Sequence, residues 1–150
     1  MKAVIQRVLS ASVTADGEPA GKIGKGLLVL LGVTEEDTEK EAELLASKVS
    51  SIRIFTDDED KMNLSVSDVK GKILVVSNFT LCADCKHGRR PSFINAQRPV
   101  QANELYEYFI KRLKFYGVPE VGTGGFGRDM QVHIQNDGPV TLILDTDEWK

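Results

Sequence analysis

The sequence predicts an α+β fold, a curved β-sheet or partly closed β-barrel flanked by two helices. Three observations carry that expectation. Residues 27–33 and 73–76 are continuous aliphatic runs (one Gly apart), with the length of strands buried on both faces. Around 42–49 and 105–113, apolar residues recur at helical spacing. The other strand signals come in runs, not in strict alternation with helices, which disfavours a doubly wound parallel sheet.

The elements follow in order. Segment 2–14 mixes polar and apolar residues and is rich in β-branched ones (Val4, Ile5, Val8, Val13, Thr14), which marks a strand. Asp16-Gly17-Glu18-Pro19 is a turn signal, and a short second strand is expected towards Ile23. The run 27–33, bounded by Gly26 and Thr34, is a central strand. Thr38 with Glu41 three residues later forms a capping-box pattern. Ala42, Leu45, Ala46 and Val49 then place an apolar stripe along the helix it opens. A short strand at 52–55 precedes Asp57-Asp58-Glu59-Asp60, which reads as a solvated loop. A second buried strand is expected over 72–81, then a polar, basic loop from Ala83 to about Pro99. Within 102–116 the rows Leu105, Phe109, Leu113 and Tyr106, Ile110 give an amphipathic helix, stopped by Gly117 and Pro119. Met130, Val132 and Ile134 alternate with Gln131, His133 and Gln135, as in a strand with one buried face. Asn136-Asp137-Gly138-Pro139 reads as a turn into a last strand at 140–144. About seven strands and two helices result.

Composition narrows the function classes. With 150 residues, 41% of them hydrophobic, the chain is expected to form one domain over 1–150 and not a disordered segment. No apolar run approaches the ~20 residues of a membrane span. Gln6 and Arg7 interrupt the opening MKAVIQRV before a secretion leader can form, and DEWK carries no lipidation box. Only two Cys are present, so a reducing, cytoplasmic setting is expected. The net charge of −3 argues against sequence-independent coating of nucleic acid, DNA included. It leaves room for a local patch, and Lys86, Arg89, Arg90 and Arg98 lie in the stretch 86–98, which has no acidic residue. That loop is either solvated or tracks a phosphate backbone.

Several motifs are candidates for chemistry. Gly122-Thr123-Gly124-Gly125-Phe126-Gly127 matches G-x-G-x-x-G, but a strand follows it where a dinucleotide fold needs a helix N-terminus. A flexible loop allowing close backbone approach, with Phe126 available to pack on a ligand or the core, is the better reading. Cys82-Ala83-Asp84-Cys85 is a CxxC followed by Lys86-His87-Gly88-Arg89-Arg90-Pro91, a poor helix start for a redox thiolate. A zinc site there would need a donor beyond Cys82, Cys85 and His87, with His133 the only other His. Ser77-Asn78-Phe79-Thr80-Leu81 ends an apolar strand in polar side chains, a common place for a site, and Thr80 offers a hydroxyl. Gly138-Pro139 is ordinarily a turn, and X-Pro bonds are cis in only about 5–6% of cases.

Taken together, SNFTLCA at 77–83 and NDGPVT at 136–141 resemble the paired signatures SQFTL and NxGPVT of D-aminoacyl-tRNA deacylases, the D-tyrosyl-tRNA deacylase family. The opening MKAVIQRV, the GKGLLVLLGV strand, the RRPSF loop and the GGFG-x-DM stretch also match, in order and along essentially the whole chain. The resemblance implies a cofactor-free homodimer of that family's fold. It would cleave the ester joining a D-amino acid to the 3′ end of tRNA, a step of translation quality control. It implies a cis Gly138-Pro139 bond that enters the partner subunit's site, where backbone carbonyls leave no room for an L side chain. Glycine, with no side chain, would not be excluded, so glycyl-tRNA would be cleaved too. By the same resemblance Thr80, with Ser77, Asn78 and Phe79, stands at the scissile carbonyl. Thr80 is expected to position substrate or contact the oxyanion first and to act as a covalent nucleophile second, and backbone N–H groups near Phe79 add to the oxyanion site. Phe126 and Met130 would wall the pocket, and Lys86, Arg89, Arg90 and Arg98 would meet the tRNA. Asn78 replaces the usual Gln and shortens that side chain's reach by about 1.5 Å. Two other readings stay open: a non-catalytic tRNA-binding module using loop 86–98, and a zinc or redox protein using Cys82 and Cys85.

Overall fold

A computed structural model describes residues 1–150. Strand β1 (Lys2–Ala15) organises the molecule. One of its edges is shared by two antiparallel neighbours, β3 (Gly26–Gly32) along residues 2–8 and β2 (Glu18–Ile23) along residues 11–15. Its other edge is taken along nearly its whole length by β8 (Met130–Asp145), also antiparallel. Beyond β3 the sheet continues in parallel through β6 (Lys72–Ser77) and β7 (Val121–Thr123). β2 folds back to meet β7, so tightly that a Cβ on Gly21 would lie 2.4 Å from Thr123 O. The result is a nearly closed mixed β-barrel with two helices, α1 (Glu39–Ser51) and α2 (Pro99–Phe115), on its outside. A two-stranded ribbon of β4 (Phe55–Thr56) and β5 (Met62–Leu64) stands apart.

Two apolar clusters explain why the central strands are continuously hydrophobic. Leu27, Val29, Leu31, Ile73 and Val75 face the helices, together with Leu45, Phe109 and Leu113. Leu28, Leu74 and Val76 point the other way, into the barrel with Val8, Ala11 and Val13. Strands β3 and β6 thus lack a solvent face and read as aliphatic runs instead of alternating ones. In β1 the helix-facing set is Ala3 and Ile5 and the barrel-facing set begins at Val8. A register shift against β8 between Val8 and Ser10 accompanies that change.

Several boundaries differ from the sequence expectation. The strand expected to reach residue 81 stops at Ser77, and Phe79–Cys82 form a 3₁₀ turn, because Asn78 leaves the extended ladder (φ −145, ψ 88). Helix α2 begins at Pro99, earlier than expected, since proline suits the first helical turn. The 52–55 strand is displaced to Phe55–Thr56, with Ile52 serving as C-cap of α1. Residues 130–145 form one strand, not two strands and a turn, while β5 and β7 were not expected at all.

The expected cap of α1 is present. Glu41 Oε2 accepts from Thr38 N–H at 2.8 Å and from the Thr38 hydroxyl at 2.6 Å, which together hold the Glu41 carboxyl below its usual range. A depressed carboxylate stabilises the fold above its unfolded pKa, and that contribution fades as pH falls through the folded one. Glu41→Gln is therefore expected to cost about 0.5–1 kcal/mol at pH 7. The gap from the parent should narrow as pH falls below the ordinary glutamate range of about 4.3. Denaturant melts followed at Trp149, the only tryptophan, check this; a gap that does not narrow at all on acidification counts against the carboxylate.

Candidate active site

The site grows from the end of β6. Asn78 N–H makes a last bond to Leu31 O at 2.8 Å, and the chain then tightens into the turn Phe79–Cys82. Leu81 N–H returns to Asn78 O and Ala83 N–H to Thr80 O, at 3.3 and 3.2 Å. Buried Cys82 anchors the turn, its thiol lying 3.4 Å from Val33 O. The Thr80 hydroxyl is exposed and donates to Asn78 Oδ1, so the shorter amide reaches the threonine directly.

Beside this turn opens a mostly apolar pocket of about 770 Å³. Ser77, Asn78 and Phe79 line it, together with Phe93 and Arg98 and with Phe126 and Met130. Phe79 is 56% exposed and meets Phe93 edge-on, with ring centroids 5.1 Å apart. Phe126 leans on Tyr106, whose hydroxyl donates to Val75 O at 3.0 Å. Burial pushes the Tyr106 phenol up to about 12, so it serves as a neutral donor. Gly125 N–H donates to Met130 Sδ at 3.3 Å, which ties the glycine-rich segment to the start of β8. Thr80 borders this pocket through its neighbours and does not itself line it.

Gly138 and Pro139 lie elsewhere on β8, both exposed, and neither lines that pocket. Between the pairs Gln6↔Thr141 and Val8↔Asn136 the register shifts, because 137–140 leave the ladder and return. Their peptide is cis, and Gly138 has φ +126. Two side chains staple this excursion. Asn136 Nδ2 donates to Arg7 O at 2.9 Å and to Val140 O at 3.1 Å. Arg7 is 9% exposed and donates from Nη1 to Ile54 O at 2.8 Å. Its Nε lies 3.2 Å from Asp137 Oδ2, close enough for an ion pair though poorly aligned for a hydrogen bond. Sequence reading missed Arg7. The available signal was an arginine at an inward position of β1, in step with Ala3 and Ile5.

The basic residues Lys86, Arg89 and Arg90 sit on an exposed loop closed by reciprocal Asp84–Ser92 backbone bonds of 2.7 and 2.9 Å. Arg98 is separate from them, at the N-terminal end of α2 and on the pocket rim. The cysteines diverge: Cys82 is buried, which raises its thiol pKa, and Cys85 is exposed. No three His, Cys, Asp or Glu side chains converge as metal donors, so the zinc reading lacks a donor set. No helix is long and apolar enough to cross a membrane.

Known proteins resemble this chain over nearly its full length. The family model for D-Tyr-tRNA(Tyr) deacylase matches residues 4–145. Proteins named D-aminoacyl-tRNA deacylase from Thermosipho melanesiensis and Clostridioides difficile are each 54% identical, with 97% of each chain covered. A solved structure titled c-Myc DNA Unwinding Element Binding Protein superimposes with a TM-score of 0.90 at 46% identity, covering 97% of this chain and 98% of that one. A probable eukaryotic D-amino acid tRNA deacylase shares the fold at a TM-score of 0.80 and 16% identity, over 95% and 97% of the two chains. The chain thus belongs to the D-Tyr-tRNA(Tyr) deacylase family, enzymes that hydrolyse D-aminoacyl-tRNA.

Proposed function

We propose that residues 1–150 act in the cytoplasm as one chiral-proofreading domain. It pairs into a homodimer in which Gly138 and Pro139 of the partner subunit close the pocket beside Thr80. The observation that carries this reading is the separation within one chain. A pocket walled by Ser77, Asn78 and Phe79 lacks its own Gly138 and Pro139, while those two residues are exposed on a stapled excursion. Exposed Phe79, Phe93, Ile94 and Ile134 supply apolar surface of the kind a second subunit covers.

The chemistry is hydrolysis of an already activated ester. Phe79 and Thr80 open a short helical turn, whose first N–H groups have no partner inside it, so they are the oxyanion donors. Thr80, with its hydroxyl proton given to Asn78, orients the substrate. The partner's Gly138 and Pro139 carbonyls occupy the space an L side chain needs, and a D side chain points away from them. Glycyl-tRNA passes the same filter. Lys86, Arg89, Arg90 and Arg98 hold the RNA backbone without reading sequence.

Incubation with D-tyrosyl-tRNA and L-tyrosyl-tRNA, followed by release of the amino acid, tests the proposal. Release from the D ester alone is expected. Equal cleavage of both sinks chiral exclusion, and salt-sensitive tRNA binding without any cleavage would leave only the RNA-binding module.

A further inference from the structure

The pocket lining contains two cations and no carboxylate: Arg98 on the α2 side and Arg128 on the glycine-rich side. Arg128 is held in place. Its Nε donates to Asp16 Oδ2 at 2.9 Å and its Nη2 to Ala15 O at 2.8 Å. Asp16 Oδ1 accepts from Asp129 N–H at 3.2 Å, and Asp16 N–H donates to Asp129 O at 2.8 Å. The β1–β2 turn thus clasps the segment that carries Phe126. The Arg128 bond holds the Asp16 carboxyl below the usual range, so the clasp keeps its charges through neutral pH. A guanidinium offers five N–H donors in a planar fork, and these contacts engage only part of it. The side chain stays 45% exposed at the pocket rim.

We infer that Arg128, oriented by Asp16, binds a phosphodiester of the RNA whose 3′ end enters the pocket. This deepens the deacylase reading and rests on it for the nature of the ligand. A pocket of about 770 Å³ with mostly apolar walls suits a nucleoside and its aminoacyl group. The phosphate on the 5′ side of that nucleoside has no place among apolar walls and must emerge at the rim. A planar fork already fixed by a carboxylate meets two phosphate oxygens with little further ordering. The consequence is selectivity: the protein distinguishes an aminoacylated RNA end from a free aminoacyl nucleoside.

The test compares D-tyrosyl-tRNA with D-tyrosyl-adenosine, which has the same ester and no phosphate. Arg128→Ala is expected to lower kcat/KM on the tRNA roughly 10- to 100-fold, chiefly through KM. On the nucleoside ester the loss should be several-fold smaller, because there the variant only loosens the clasp on the Phe126 segment. Arg128→Lys should recover part of the loss, and Asp16→Asn should fall between, because charge remains and orientation is lost. Equal losses on both substrates would make Arg128 a mere wall residue, and no loss on either would remove it from binding. Anisotropy with uncharged tRNA across a salt series gives a readout independent of turnover. Losing one phosphate contact should flatten the log–log slope by about 0.7, and an unchanged slope overturns the inference. Failure of the parent to cleave either substrate would refute the deacylase reading, while the binding series still decides the role of Arg128.

Discussion

Gly138→Ala is expected to lower kcat/KM for D-tyrosyl-tRNA by about a hundredfold while the protein remains folded. An added Cβ would lie 2.9 Å from Val140 Cγ2 and 3.1 Å from Arg7 Nη2, at a φ of +126 that L residues rarely adopt. Arg7 cannot yield freely, since its guanidinium is buried and bonded to Ile54 O. The exposed excursion therefore shifts instead, and a displacement of about 1 Å at a positioning group typically costs a hundredfold. Deacylation assays with thermal melts of the same samples check this. An intact rate in a folded variant would mean that the excursion has no part in catalysis. A rate lost only in proportion to unfolded protein would reduce the effect to stability.

The larger structural effect is expected at Gly26. A Cβ there would fall 1.8 Å from Lys72 O, and Gly26 and Lys72 are register partners at the start of the parallel β3–β6 ladder. Neither backbone can retreat without separating the two strands that carry both apolar clusters. Gly26→Ala is expected to lose more than about 4 kcal/mol, the exceptional end of single-residue effects. Soluble yield and denaturant midpoint are the measures. Gly24→Ala is the control, because a Cβ at Gly24 meets nothing within 4 Å. Similar midpoints for the two variants would show that the sheet spreads to admit a methyl group.

The sequence carried most of the core, for a physical reason. Strands β3 and β6 are buried on both faces, so their aliphatic runs needed no partner to be read, and the α1 cap was local to Thr38 and Glu41. Elements defined by distant pairing were harder. Asn136-Asp137-Gly138-Pro139 has real turn composition, yet the chain there leaves β1 and returns to the same partner, which no local signal marks. The three residues of β7 owe their extended form to β6. At the site, SNFTL and the Gly-Pro pair were visible as local strings. Arg7 and Arg128 were not, because their partners come from the far end of the chain: Asp137 on β8 meets Arg7 on β1, and Asp16 just past β1 meets Arg128 just before β8. A charged residue whose counter-ion is more than a hundred positions away looks like any other surface charge.

The pairing of β1 with β8 also sets when this protein can fold. Ala15 waits for Met130 and Lys2 for Asp145, so a nascent chain carries one bare strand edge through most of its synthesis. Unpaired edges recruit other strands, and ladders between distant segments form slowly. Ribosome-bound intermediates are thus the aggregation-prone species. Any shortening that removes residues 130–145 leaves that edge permanently open.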